Sequence, residues 1–423
     1  FNKPRIIACA EEFSGHIGLP RGCLDELTEL LGSLSIDVRL SDQRMAGKKL
    51  NVSFCGELRG EQLLAGKALL KHDIGVLSAP TAFGKTVLAA WLVAQRKTNV
   101  LIVVHRRQLM EQWVERLSAF LGLDREEIGQ IGGGKRKVSG RVDVAVIQSL
   151  NKKGVVDDLV AGYGFVIVDE CHHISAKSFE EVLRACPAKY VLGLSATLAR
   201  RDGHQPIVFM QCGAVRYKAH DRKHAMQRPF DHKVVVRVCN DVVFPEGGDV
   251  SISEIYRALV ESNARNSRIA GDVVGACEDG RSPLVLTERT RHLEILRGML
   301  EPRVERLVVL KGGLGKKKLA GINAKLEAWK DLPHVVLATG RYLGEGFDDP
   351  RLDTLFLAMP VSWRGILAQY AGRLHRLHDA KTEVRVFDYV DQGNTVLGRM
   401  FERRIKGYEA LGYSLPSTEA TLF

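Results

Sequence analysis

The chain contains no C-x-x-C pair, no low-complexity tract and no apolar run long enough to span a bilayer. Each lack removes a class of protein. A transmembrane helix needs about 20 consecutive apolar residues, so a membrane-embedded reading is set aside and no membrane partner is expected. No segment reads as a signal peptide. The eight cysteines are scattered singly, many beside apolar residues (Cys9, Cys55, Cys186, Cys212, Cys239). That pattern predicts reduced, buried thiols in a cytoplasmic protein, not a disulfide framework or a zinc ribbon. The first residue is Phe1 rather than Met, which we read as part of a longer chain.

What is present is ordinary in bulk and basic in balance. Across 423 residues, 61 Lys and Arg stand against 50 Asp and Glu, a net charge of +11. Such a balance favours a polyanionic partner, nucleic acid first. Val-, Ile- and Leu-rich runs recur at 99–104, 142–147, 164–170 and 189–195, then again at 283–287, 306–310, 334–339, 353–358 and 383–390. Amphipathic segments such as "RRQLMEQWVERLSAFL" (106–121) separate them. Runs this apolar suit strands buried on both faces of a parallel sheet, with helical crossovers between them. The expected organisation is α/β, with two tandem parallel-sheet domains at 51–217 and 251–395. A small α+β accessory domain fills 1–50, a polar linker 218–250 and a basic helical extension 396–423. In the accessory domain a Pro-led helix is expected from residue 18 and a strand and turn at 36–44.

"GVLSAPTAFGKTVLAAWLVAQ" (75–95) carries the clearest chemistry. A short apolar run enters a turn of small residues, and "GKT" opens an amphipathic helix. Backbone N–H groups at a helix N-terminus bind phosphate, Lys85 reaches the β- and γ-phosphates, and the Thr86 hydroxyl ligates Mg²⁺. The pattern G-x-x-x-x-G-K-[ST] fits 79–86 with Ala79 in place of the first Gly. The loop Pro80, Thr81, Ala82, Phe83, Gly84 is thereby a candidate nucleotide cradle.

"VIVDECHHIS" (167–176) crowds five potential metal ligands together. A zinc site, a pair of catalytic acids and a solvated polar turn compete for it. Adjacent Cys171 and His172 could not easily aim at one tetrahedral ion, and no second cluster supplies the other ligands. A phosphate loop needs a second carboxylate for Mg²⁺ and a base for water. Asp169 is the natural metal holder and Glu170 the natural base.

At this point the residues resemble a family. "APTAFGKT" and "DECH" resemble motifs I and II of superfamily 2 helicases of the DExH branch. "LRGEQ" (58–62), "VVHRRQLMEQW" (103–113), "VAVIQSL" (144–150), "LSAT" (194–197), "VLTERTRH" (285–292), "LATGRYLGEGFDDP" (337–350) and "QYAGRLHR" (369–376) resemble that family's further motifs, in its order. The segments 193–217 and 344–360 are most similar to the XPB-like and restriction-subunit-like group, and to helicase modules of bacterial or mobile-element conflict systems.

The resemblance implies two RecA-like domains, ATP and Mg²⁺ as cofactors, and DNA as partner, single-stranded, branched or duplex. Fused or associated nuclease, primase or defence-system domains would be further partners, since the chain shows no nuclease constellation of its own. It implies that Arg59 and Gln62 lie on the adenine side and that Gly344, Gly346 and Asp348 serve backbone turns and the ribose. Arg373 and Arg376 would stabilise charge on the transferring phosphoryl group, with Gln369 beside the water or coupled to His172. Ser195 and Thr197 would couple hydrolysis to strand contact. Nucleic-acid contacts would come from His105, Arg106, Gln148, Ser149, Thr287, Arg289, Lys311 and Thr339, aided by the basic loops "GGGKRK" (132–137) and "KGGLGKKK" (311–318). The expected function is a DNA-stimulated ATPase that translocates on or unwinds DNA, 3′→5′, in a cytoplasmic, nucleoid-associated setting. An RNA-directed helicase and an ATP-binding recognition module of a restriction or defence assembly are the alternatives.

Overall fold

The computed structural model describes residues 8–80, 83–171, 176–196, 205–219, 229–244, 250–340, 347, 349–361, 364–376, 378–379, 381–391 and 393–415. The chain divides into two compact units, Phe1–Ala219 and His220–Phe423.

The first unit begins with the small hairpin β1 (Glu11–Phe13) and β2 (His16–Gly18), a 3-10 turn at Arg21–Cys23 and α1 (Leu24–Ser33). Then come α2 (Gly60–Leu70), β3 (Ile74–Ser78), α3 (Lys85–Arg96), β4 (Val100–Val104) and α4 (Arg107–Leu121). β5 (Gly129–Gly132), β6 (Lys135–Lys137) and β7 (Val142–Val146) follow, then the minor hairpin β8 (Asn151–Lys152) and β9 (Val155–Val156). β10 (Phe165–Val168), β11 (Tyr190–Ser195) and β12 (Val215–Lys218) complete the unit. The main sheet runs β12-β3-β11-β10-β4-β7-β5-β6, parallel throughout except for the β5–β6 hairpin at one edge.

Physical chemistry explains these choices. Every residue of β4, "VLIVV", is buried, as helices on both faces of the sheet require. In α4 the buried residues Met110, Trp113, Val114, Leu117 and Leu121 fall on one helical stripe, each worth about 1.5–3 kcal/mol in transfer from water. The helix stops at Gly122, whose φ of 62° suits a residue without Cβ.

The second unit contains β13 (Asp231–Cys239), β14 (Pro283–Thr287), β15 (Leu307–Leu310), β16 (Val335–Thr339), β17 (Thr354–Leu357) and β18 (Glu383–Asp391). These form one fully parallel sheet in the order β13-β18-β17-β14-β16-β15. Both sheets have the α/β, RecA-like arrangement expected from the alternating apolar runs.

Several sequence expectations need correction. Residues 218–250 are not only linker. β13 lies within them and pairs with β18 over nine residues, its valines Val234–Val236 and Val238 completing the sheet edge. The helix Thr395–Ala410 is not an appendage, since Tyr408, Leu411 and Tyr413 enter the second unit's core. Residues 1–50 fall within the first unit. Met45 bridges Ala188 and Lys49 bridges Thr98. Residues 36–44, expected as a strand and turn, form no ladder. Of the five cysteines expected to be buried, Cys186, Cys212 and Cys239 are, Cys9 is half-buried and Cys55 is exposed. Among the described residues no helix is long and apolar enough to cross a membrane.

Candidate active site

Parallel strands present their carboxyl ends along one edge, the place where α/β sheets bind ligands. In the first unit the register aligns Ser78 with Ser195 and Val168 with both Gly193 and Val103. The phosphate loop, Asp169–Glu170 and Ser195 are thereby brought to one edge. Backbone bonds stitch them: Ala79 N–H donates to Ser195 O (2.9 Å), Asp169 N–H to Val103 O (2.9 Å) and Cys171 N–H to Leu194 O (3.1 Å).

Gly84 precedes α3 with φ 87°, a left-handed conformation that glycine adopts freely. A Cβ there would stand 2.3 Å from Gln62 Nε2. Gln62 donates that Nε2 to Phe83 O (2.7 Å) and accepts from Arg59 N–H (2.9 Å), while the Arg59 guanidinium also donates to Phe83 O. The start of α2 is thus fastened to the phosphate loop, and the two proposed nucleotide-side residues sit together with it. Pro80 and Phe83 are buried and Thr86 half-buried. Thr81 and Ala82 lie outside the described residues.

Lys85 Nζ is 3.3 Å from Glu170 Oε1 and donates to Ala79 O (3.1 Å). Glu170 has φ 45°, rare for a side chain-bearing residue and common at functional sites. Its Oε2 accepts from Ala196 N–H at 3.4 Å, a direct link to the "LSAT" segment. Asp169 is buried and accepts from Trp113 Nε1 (2.7 Å) and Glu170 N–H (3.0 Å). Burial, then the neighbouring Glu170 charge, raises its carboxyl above the usual range, against the pull of Trp113 and Lys85. Trp113 was read only as part of a motif resembling Ia. Its place on the buried, core-facing stripe of α4 gives no hint of an indole aimed at Asp169. His172 and Thr197 lie outside the described residues.

Beside this cluster, His105 and Arg106 are half-buried; burial, then Arg106, lowers the His105 pKa. Exposed Gln148 donates to His105 O (3.3 Å), and Ser149 is half-buried. The Gly132–Gly134 turn has three positive φ values and packs so closely that a Cβ at Gly133 would meet Arg107 Cδ at 2.4 Å. A Cβ at Gly132 would meet Ser149 Oγ at 3.2 Å. The "GGGKRK" loop, Arg107 and Ser149 are therefore neighbours.

In the second unit, Gln369 is half-buried on the helix Arg364–Leu374. Arg373 is buried on the same helix and donates to Phe347 O (2.8 Å). Arg376 lies beyond the end of that helix, where Lys381 Nζ donates to the carbonyls of Leu374 and Arg376 (both 2.9 Å). Gly340 leaves room for Tyr370, whose hydroxyl donates to Glu288 Oε1 (2.9 Å). Gly344, Gly346 and Asp348 lie outside the described residues. Asp349, next to the last of these, is buried between His334 Nε2 (2.8 Å) and Arg351 (3.0 Å).

Not every expected nucleic-acid contact is placed for one. Thr287 is buried and its hydroxyl is 2.9 Å from His292 Nδ1, an internal role. Thr339 is also buried, in β16. Lys311 pairs with Glu294 at 2.6 Å. Arg289 is exposed, its guanidinium 5.8 Å from the Tyr256 ring centre.

A parallel sheet with a GKT loop and a facing carboxylate pair on its carboxyl edge defines the class of P-loop nucleotide hydrolases. Comparison with known proteins narrows it. Residues 44–200 match the family described as "Type III restriction enzyme, res subunit". "Probable helicase D10" of Escherichia phage T5 is 26% identical over 80% of this chain and 73% of its own. "DNA 3'-5' translocase XPB2" of Sulfurisphaera tokodaii is 33% identical over 38% of this chain and 36% of its own. In fold, the chain is similar to S. cerevisiae Dbp5 bound to RNA and ADP BeF3, with a TM-score of 0.60, 13% identity, and 84% of this chain and 88% of that one covered. These likenesses support a superfamily 2 helicase of the XPB-like and restriction-subunit-like type, an ATP-hydrolysing enzyme.

Proposed function

We propose that the chain is a DNA motor, coupling ATP hydrolysis to 3′→5′ movement on DNA or to its unwinding. The observation that carries the reading is the placement of Lys85 Nζ 3.3 Å from Glu170 Oε1, with Asp169 adjacent and Gly84 in a left-handed turn at the start of α3. The similarity to a protein named as a DNA 3'-5' translocase supports the choice of nucleic acid and direction.

The residues present suit a nucleotide with Mg²⁺. Asp169 and Thr86 offer hard oxygen donors, which Mg²⁺ prefers. Bound there, the ion would neutralise phosphate charge. Lys85 exchanges its contact with Glu170 for the β- and γ-phosphate oxygens. Glu170, thus released, orients and deprotonates the attacking water. Backbone N–H groups around Gly84 hold the phosphates, Arg59 and Gln62 border the base, and Gly346 and Asp348 serve the ribose side. Arg373 and Arg376 stabilise developing charge, with Gln369 beside the water. His172, Ser195 and Thr197 relay the nucleotide state to the strand. Arg106, Gln148, Ser149 and Arg289 contact phosphates of the nucleic acid, which position rather than specify. A nuclease, primase or defence-system domain, on this protein or an associated one, is the partner such a motor would serve.

The test is ATP hydrolysis with single-stranded DNA, duplex DNA or RNA as stimulant, in wild type, Lys85→Ala and Glu170→Gln. DNA should stimulate most and both variants should lose turnover. Wild-type hydrolysis in both variants would overturn the motor assignment. Stronger stimulation by RNA would overturn the DNA assignment. Tailed duplexes of opposite polarity report direction.

A further inference from the structure

Residues 36–40, "IDVRL", leave three kinds of interaction unmet in one short segment. Ile36, Val38 and Leu40 are 49%, 40% and 70% exposed. Asp37 and Arg39 form no ion pair among the described residues. The chain runs from 36 to 44 without turn, bend or ladder, and no backbone hydrogen bond among the described residues involves positions 37–41. An exposed apolar segment whose backbone groups are unbonded can pair edge to edge with another such segment.

We propose that this segment is a homodimer contact, pairing antiparallel with the same segment of a second copy across a two-fold axis at Val38. The sequence is self-complementary in that register alone. Val38 meets Val38 of the other copy once, and Ile36–Leu40 and Asp37–Arg39 pairs each form twice. One pairing therefore bonds the backbone along one edge of each copy, matches opposite charges and sets the three apolar side chains against those of the other copy. Directly opposed residues of opposite charge stabilise antiparallel pairs, and like charges destabilise them. A two-fold contact of this kind is isologous and closes at two copies.

The surroundings fit a protein contact better than a nucleic-acid one. Between residues 11 and 42 seven carboxylates stand against two arginines, in a chain of net charge +11. One of those arginines, Arg21, is turned inward onto the carbonyls of Leu183, Cys186 and Ala188. Self-repulsion is limited because Glu11, Asp25 and Asp42 are already paired with Arg184, Arg216 and Arg44. A five-residue ladder is smaller than the roughly 800 Å² per partner of a standard interface. Exposed Leu30 and Leu34, immediately before it, extend the apolar surface. The expected dimer is accordingly weak and concentration-dependent.

Sedimentation of the whole chain across a concentration series tests this. Wild type should pass from monomer to dimer. Asp37→Arg sets arginine against Arg39 twice in each dimer and should weaken association by about tenfold or more. Arg39→Asp should do the same through like acids. The double variant Asp37→Arg/Arg39→Asp restores opposite pairs and should recover the dimer. These positions are exposed and remote in sequence from the hydrolytic residues, so unstimulated ATP hydrolysis should be unchanged and verifies folding. A wild type that stays monomeric throughout overturns the proposal. So does a dimer indifferent to the single swaps, or one that the double swap leaves as weak as either single.

Discussion

Trp113 donates its indole N–H to Asp169 Oδ2 at 2.7 Å, joining α4 to the carboxylate proposed to hold Mg²⁺. Both residues are buried. A buried carboxylate beside another acid stays ionised only with donors or cations around it, and Trp113 is one of those donors. Trp113→Phe keeps most of the ring's volume and removes the donor. We expect a lower kcat and a higher Mg²⁺ concentration for half-maximal hydrolysis. Losing a hydrogen bond to a charged group costs about 1.5–3 kcal/mol, so roughly a tenfold effect or more is anticipated. Steady-state hydrolysis across a Mg²⁺ titration measures both. An unchanged Mg²⁺ dependence would make Trp113 a packing residue only.

Gly84→Ala should act on nucleotide binding before it acts on the fold. The φ of 87° strains any residue with a Cβ by about 1–2 kcal/mol, and the new methyl would lie 2.3 Å from Gln62 Nε2. Gln62 would be displaced from Phe83 O, loosening α2 from the loop. The expected outcome is nucleotide affinity down by more than tenfold with a melting temperature lowered by only a few degrees. Calorimetric titration with an ATP analogue, paired with thermal unfolding, separates the two.

Much of this site was legible in the sequence because its chemistry depends on neighbours along the chain. Gly84, Lys85 and Thr86 form one turn, and Asp169 and Glu170 end one strand. The parallel sheets were legible too, since strands such as "VLIVV" must be buried on both faces. What escaped depends on tertiary distance. The bonds from Trp113 to Asp169 and from Tyr370 to Glu288 join residues far apart in sequence, with no local pattern to announce them. Thr287 looked like a contact for nucleic acid, but its hydroxyl serves His292. The sequence 231–239 reads as linker because the polar stretches "HDRKHAMQRPFDHK" and "FPEGGD" flank its short run of valines. Residues 36–40 show the converse: they have strand-like alternation but no ladder partner among the described residues.

Arg265 and Asp391 form a fully buried pair at 3.1 Å, and Arg265 Nη1 also donates to Ala358 O (2.7 Å). Removing one partner of such a pair leaves an uncompensated charge, at a cost of about 3–5 kcal/mol. Arg265→Met should destabilise the second unit by that order. Burial already raises the Asp391 carboxyl, and losing the guanidinium raises it further. The folded form then binds a proton that the unfolded form releases, so the deficit should shrink as pH falls through the new pKa. Adding Asp391→Asn should recover part of the loss at neutral pH. Denaturant unfolding at several pH values tests both expectations.

His292 supplies a pH dependence of opposite sense. The ring is buried, with Nε2 2.8 Å from Asn266 Oδ1 and Nδ1 2.9 Å from the Thr287 hydroxyl. The amide oxygen can only accept, so Nε2 carries the proton and Nδ1 accepts from Thr287, the neutral form of the ring. Burial, then repulsion from Arg265, pushes its pKa from the ordinary 6.5 down to about 3. Between these values the unfolded chain binds a proton that the folded chain does not. Stability from this group is therefore complete above pH 6.5 and is lost as pH falls toward 3, by about 1.4 kcal/mol per unit. His292→Gln retains one donor and one acceptor but cannot titrate, so its stability should depend less on pH across that window. Hydrogen-exchange protection of the helices Asn263–Glu278 and Thr290–Leu300 in the whole chain reads this directly. Protection should fall with acidification in wild type and stay flatter in the variant, and parallel curves would show that His292 is not the titrating group.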